Sequence, residues 1–167
     1  FQWQVHSRWM ISSGYQYLET GDKEERRRIL DQQEYIRDAS GASRLMKISE
    51  YVGLPNRSKH QAQLKISYEK TPEQFINLRL LYRSRWTVAN SNGNSSYDQS
   101  DEFASGFLLV NMSAGFSLTS FLSVQTGIEN LLNYHDLFYQ PTLQPRTVFV
   151  QLRCKLWSQK IKTVASL

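Results

Sequence analysis

A single cysteine, Cys154, occurs in 167 residues, which excludes an internal disulfide, a cysteine-based zinc site and a CxxC redox pair. Nor does any apolar run approach the roughly 20 residues that a membrane-spanning helix needs, so entry into a bilayer is open to this chain only through strands. The chain carries no Ser/His/Asp set, no carboxylate pair, no glycine-rich phosphate loop and no cluster of metal ligands, and an enzyme is not expected. A net charge of +5 and a pI near 9.4 would suit nucleic acid, yet there is no basic helix and no Gly-aromatic RNA-binding motif, and the positive residues are spread along the chain. Nucleic acid is therefore not an expected partner. The run Lys23, Arg26, Arg27, Arg28 is interleaved with Glu24 and Glu25 and reads as a solvated helix face. Disorder is excluded by a composition that is 40% hydrophobic and only 21% charged. An initiator methionine and a basic-then-apolar leader are also missing ahead of FQWQV, which reads as a fragment or a processed chain.

What the sequence does have is period two. In 147–156, TVFVQLRCKL, the residues Val148, Val150, Leu152, Cys154 and Leu156 alternate with Thr147, Phe149, Gln151, Arg153 and Lys155. The same alternation runs through 1–5, 9–18, 60–69, 75–86, 107–118 and 121–129 and predicts seven strands, most near the nine to eleven residues that cross a bilayer at a tilt. Cys154 falls on the apolar row and reads as a small hydrophobe. In 75–86 the apolar row is Ile76, Leu78, Leu80, Tyr82 and Trp86, against Asn77, Arg79, Arg83 and Arg85.

The connections alternate as well. Residues 6–8, 70–74 and 119–120 make tight turns, whereas 19–59, 87–106 and 130–146 are long. Up-and-down outer-membrane barrels have this asymmetry, with short turns on the periplasmic side and long loops outside. The polar rows are too charged for a dry core and require water or cross-strand partners. Tyr15, Tyr17, Tyr68, Tyr82, Trp86 and Phe116 stand near strand ends on the apolar rows, as in an interfacial aromatic girdle. The first long loop offers Asp22 as a helix N-cap with Glu25 at capping-box spacing, Ile29 and Ile36 on one face and Gly41 as the stop. The second, 90–102, is polar and reads as flexible. Its Asp98, Asp101 and Glu102 lack calcium-loop spacing. Three Asn-x-Ser matches, at Asn56, Asn94 and Asn111, matter only in a glycosylating pathway.

The segment GIENLLNYHDLFYQPTLQPRTVFVQLRCKL, 127–156, resembles the C-terminal end of TonB-dependent outer-membrane receptors. It has a strand ending in Gly-x-Asp/Glu-Asn-Leu, a loop ending in Pro-x-Arg and a closing strand. GYQYLETGDK at 14–23 and GLPNRSKHQAQLKISYE at 53–69 resemble further segments of that family, in the same order. The resemblance implies an all-β, antiparallel, up-and-down transmembrane barrel segment: about seven strands of a larger wall of twenty-two, with a short helix in one extracellular loop. It divides the chain into a barrel portion, 1–156, and a C-terminal periplasmic extension, 157–167. The family closes its last strand on Phe, whereas Leu156 and the tail WSQKIKTVASL stand here.

The resemblance also implies a function, namely import of a scarce, bulky nutrient (a ferric siderophore, haem, cobalamin or similar) with energy passed through TonB. The implied partners are outer-membrane lipid, the remainder of the barrel and its plug, TonB acting through that plug, and the nutrient. No cofactor is implied. Ligand-contacting candidates lie in the long loops: Tyr51, Arg57, Tyr97, His135 and Tyr139. Imidazole beside aromatics in NYHDLFYQ suits a haem or corrin face, while His6 and His60 read as surface residues. A complete small barrel or adhesin, and a soluble β-sandwich binding module, are the alternative readings of the same periodicity.

Overall fold

The computed structural model describes residues 1–155 apart from 39, 92, 94–96 and 98. Leu156, the tail beyond it and Asp98 therefore lie outside the described residues. Seven strands form one sheet: β1 (Gln2–His6), β2 (Trp9–Tyr17), β5 (His60–Thr71), β6 (Gln74–Arg83), β9 (Phe107–Ser117), β10 (Leu122–Glu129) and β11 (Thr147–Cys154). Each pairs antiparallel with the next along the chain, in the order β1-β2-β5-β6-β9-β10-β11. Two further strand pairs sit inside loops: β3 (Tyr35–Arg37) with β4 (Ser43–Leu45), and β7 (Trp86–Thr87) with β8 (Phe103–Ala104). The one α-helix among the described residues, α1 (Lys23–Leu30), lies in the first long loop.

The register places the apolar rows on one face. Ile11 stands opposite Ile66, Ile66 opposite Leu78, Leu78 opposite Met112, Met112 opposite Ile128 and Ile128 opposite Val148. This face is bare. On β11 alone Val148, Val150 and Leu152 are 65%, 68% and 65% exposed, and Ile76, Leu108, Met112 and Phe116 are likewise exposed. Among the described residues no second layer covers the row, so the sheet is not half of a sandwich. β1 and β11 lie at opposite edges of the sheet, so the described residues do not close a small barrel either. An apolar face this extensive, presented to no protein layer, is what a lipid-facing wall displays.

The opposite face is largely polar: Lys65, Arg79 and Asn111 stand in register across β5, β6 and β9, Gln125 stands opposite Gln151, and Gln61 and Gln63 lie on the same row of β5. It also contains two aromatic fillers. Phe75 stands opposite Gly115 and Phe149 opposite Gly127, each ring lying over the glycine of the neighbouring strand. A Cβ on Gly127 would meet the Phe149 ring at 2.7 Å and the Met112 carbonyl oxygen at 2.6 Å. The glycines are thus required by close approach, and the rings restore the apolar contact that a missing side chain forfeits.

Buried apolar side chains lie in the loops and not in the wall: Ile29, Ile36, Met46, Tyr51, Trp86 and Ala104. Ile29, Ile36, Met46 and Tyr51 form one cluster, so the 18–59 loop has a core of its own. The helix begins as the sequence predicts, with Asp22 Oδ1 accepting from the Glu24 and Glu25 amides at 2.7 and 3.2 Å. It ends much sooner. Gln32 adopts φ 56°, and the Gln32 and Gln33 amides donate back to the Ile29 and Arg28 carbonyls at 3.1 and 2.9 Å, a Schellman closure with glutamine in the left-handed position. Ile36 consequently belongs to the β3–β4 hairpin, and Gly41 lies in its turn instead of stopping the helix. The reciprocal half of the capping box is also replaced: the Tyr51 hydroxyl accepts from the Asp22 amide at 2.7 Å and donates to Glu25 Oε2 at 3.0 Å. The basic face of α1 is partly paired, Arg26 with Glu19 at 2.7 Å and Arg28 with Glu34 at 3.0 Å.

Candidate functional site

The three short turns lie at one end of the wall, and the long loops 18–59, 84–106 and 130–146 lie at the other, where they bond to one another. The Asn56 amide donates to the Thr87 carbonyl at 2.7 Å. The Tyr134 hydroxyl donates to the Ser105 carbonyl at 3.4 Å, and the Tyr139 hydroxyl to the Asp101 carbonyl at 3.3 Å. The last loop is braced by the asparagine of the Glu-Asn-Leu motif. Buried Asn130, at φ 51°, donates through Nδ2 to the Tyr134 and Gln144 carbonyls at 2.6 and 2.9 Å and accepts through Oδ1 from the Tyr134 amide at 3.0 Å. Its own amide donates to Asn111 Oδ1 at 2.9 Å.

The second loop is anchored by Glu102, which is 0% exposed. Glu102 Oε1 accepts from the Ser91 amide at 3.0 Å and Oε2 from the Gln99 amide at 2.9 Å. The carboxylate thus braces a loop that the sequence suggested was merely flexible. Among the described residues no group of His, Cys, Asp and Glu side chains is arranged to hold a metal ion.

Trp86 departs from the sequence reading. Strand β6 ends at Arg83, and Trp86 is buried in the β7–β8 pair instead of extending the exposed apolar row. The Arg83 guanidinium lies 3.9 Å over its ring.

Between the first and second loops run two adjoining clefts, of about 510 and 290 Å³. Val52, Lys59, Arg85 and Phe103 line both. Tyr51, Tyr97 and Glu50, whose carboxylate is paired with Arg44, also line the larger; Arg57, His60 and Trp86 also line the smaller. Arg85 lies 4.7 Å over the Phe103 ring, a cation–π contact that leaves its charge in the groove. Among the described residues no carboxylate forms an ion pair with Arg57, Lys59 or Arg85. Tyr97 is partly buried, which raises its pKa, and the neighbouring Glu25 and Glu102 carboxylates raise it further. The phenol therefore stays protonated and able to donate.

The five residues singled out from sequence are thus divided. Tyr51 and Tyr97 share the larger cleft, though the Tyr51 hydroxyl is already engaged by Asp22 and Glu25. Its pKa is raised chiefly by burial. Arg57 lines the smaller cleft. His135 is exposed, with Nδ1 3.2 Å from the Asn133 carbonyl oxygen, and Tyr139 is committed to the loop–loop bond described above. Lys59 and Arg85, which join the two clefts, were not candidates. Lys59 had a signal, continuing the odd-numbered row of β5 one step beyond Gln61, whereas Arg85, like Trp86, follows the point where the chain leaves the sheet and parity does not place it.

A seven-stranded antiparallel arc with a bare apolar face, a polar inner face and loops gathered at one end defines a segment of a transmembrane β-barrel wall. Comparison with solved structures makes the fold more specific: it is similar to part of the barrel of several solved outer-membrane receptors. The ferric enterobactin receptor PfeA of Pseudomonas aeruginosa superposes with a TM-score of 0.56 at 10% identity, over 92% of this chain and 21% of that one. The ferric-catecholate import receptor Fiu of E. coli K12 superposes with 0.50 at 16%, over 90% and 19%. A chain of the FpvAI–pyocin S2 complex gives 0.51 at 17%, over 92% and 18%. This chain therefore spans about a fifth of the length of these receptors. No protein-family model and no curated protein matches it by sequence.

Proposed function

We propose that the chain is the C-terminal wall portion of a TonB-dependent outer-membrane receptor that imports a ferric siderophore. Residues 1–156 supply the wall, the short turns and the C-terminal tail face the periplasm, and the long loops face outward. The remaining strands and a plug are its partners, and energy reaches the ligand from TonB through that plug. The receptor performs no chemistry on its cargo. The observation that carries the ligand class is the groove with Arg57, Lys59 and Arg85 unpaired beside Tyr97 and Phe103. A cluster of uncompensated cations at an aromatic surface suits an anionic chelate with aromatic arms. Iron(III) catecholate complexes, which Fiu imports by its name, have that character. Haem and cobalamin gain no support from the structural relatives and are set aside.

The test uses the intact receptor in outer membranes under iron limitation, with iron(III) tris-catecholate as the sole iron source. Combined Arg57→Gln, Lys59→Gln and Arg85→Gln should abolish growth while leaving the amount of folded barrel unchanged. Deleting TonB should do the same. Growth undiminished in the triple variant would reject the groove as the ligand site, and growth undiminished without TonB would reject the energy source.

A further inference from the structure

Beneath the groove, and absent from its lining, lies Arg83. It ends β6 on the inner face, in register with Phe107 of β9. Its Nε donates to Ser58 Oγ at 2.5 Å, and Nη2 reaches the Asn56 carbonyl at 3.5 Å. Both partners belong to the first loop, and they flank the groove cation Arg57 directly. The Arg83 guanidinium also stacks on Trp86 of the second loop at 3.9 Å. Trp86 meets Phe107 edge-on at 6.2 Å, and Phe107 stacks on Tyr134 of the third loop at 5.0 Å. One side chain therefore connects, directly or through two rings, to all three long loops. Ser58 and Trp86 are 1% and 4% exposed, so at those two contacts the guanidinium meets groups that water barely reaches, while its bond to the Asn56 carbonyl is exposed.

We propose that Arg83 is the positioning residue of the groove. It docks the segment 56–58 and the Trp86–Phe107–Tyr134 stack against each other, so that Arg57, Lys59 and Arg85 are held in one arrangement without Arg83 touching the ligand. This rests on the anionic-ligand reading above. It goes beyond that reading in making affinity depend on a side chain outside the groove and in coupling the first loop to the third. A lysine at 83 keeps the charge and one hydrogen bond but cannot stack flat on the indole while bonding Ser58.

The experiment uses the intact receptor purified in detergent, with radiolabelled iron(III) tris-catecholate as probe and amide exchange followed by mass spectrometry. Arg83→Gln should weaken probe binding roughly two- to thirtyfold, the range typical of residues that couple sites without touching the ligand. It should also speed exchange in 56–60 and in 130–134 together. Arg83→Lys should recover part of both effects. Because the groove cations remain, the salt dependence of binding should stay as in the native protein, whereas Arg57→Gln should flatten it. Ser58→Ala should loosen 130–134 in the native background and have no further effect there in Arg83→Gln. Native affinity in Arg83→Gln, or loosening confined to 56–60, overturns the proposal. If Arg83→Gln does not assemble, Arg83→Lys and Ser58→Ala decide by the same criteria. If the native receptor does not bind the probe, the ligand reading falls, and the exchange arm alone decides whether Arg83 couples the loops.

Discussion

Asn130→Ala tests how the closing loop is held. The residue is 4% exposed, and its side chain makes three hydrogen bonds, two as donor and one as acceptor. Alanine leaves the Tyr134 and Gln144 carbonyls and the Tyr134 amide without those partners, at about 1 kcal/mol each. It must also adopt the left-handed backbone of φ 51°, which costs about 1 kcal/mol more for a residue without a side-chain carbonyl. The sum is about 4 kcal/mol, or ~10³-fold in the local opening equilibrium. Asn130→Gly, which adopts the backbone freely, should cost only the hydrogen-bond share, about 3 kcal/mol. Asn130→Asp keeps the acceptor but sets a buried carboxylate oxygen against the Tyr134 and Gln144 carbonyls in place of two donors, so it should open the loop at least as much as alanine does. The assay is exchange of the Tyr134 and Arg146 amides in the folded receptor, the latter bonded to Asn133 Oδ1 at 2.9 Å. The predicted order of exchange rates is Ala, then Gly, then native. Native-like protection of Tyr134 in Asn130→Ala, or glycine and alanine behaving alike, would refute the reasoning.

Three other outcomes follow from the wall and the first loop. Val150→Arg, on the bare face, should destabilise bilayer-folded receptor by about 2–4 kcal/mol if that residue sits near the midplane, whereas Gln151→Arg on the inner face should be near neutral; folding titrations in urea with lipid vesicles measure both. Gly127→Ala should be more damaging than Gly115→Ala, because the added methyl meets the Met112 backbone carbonyl as well as a ring, while at Gly115 it meets only the Phe75 ring. Phe75→Leu should therefore restore Gly115→Ala, and Phe149→Leu should not restore Gly127→Ala, in the same titration. Glu50 is held to a pKa of about 2, first by its paired hydrogen bonds with Arg44 and then by the Lys47 amide. Its folded value lies below the ordinary 4.5, so its stabilisation of the first loop is fully present above pH 4.5 and is lost as pH falls through about 2. Exchange at the Lys47 amide should accelerate across that window, and Glu50→Gln should remove the pH dependence.

The wall was legible because a two-residue period survives without knowledge of distant partners. The reading of 60–69 and 107–118 as strands matches β5 and β9 to within two residues at each end. The same counting failed at Trp86, which keeps the parity of Ile76 to Tyr82, because parity cannot register that the chain leaves the sheet after Arg83. The loop core was hidden for a different reason. Ile29, Ile36, Met46 and Tyr51 come together only through a Schellman turn on glutamine and a hairpin, and no fixed spacing links them. Tyr51 looked like a ligand residue because an aromatic in a polar loop has few local clues to its burial. Asn130 belonged to a recognisable motif, yet its clamp on Tyr134 and Gln144 depends on a loop closure that only coordinates reveal.

The private core of the first loop separates two kinds of evolutionary pressure. Its greasy centre owes little to the wall, so the outer skin of α1 and the β3–β4 hairpin is free to change its chemistry without disturbing strand registry. The outward skin of that loop can therefore vary while the cleft beside Lys59 and Arg85 keeps its lining.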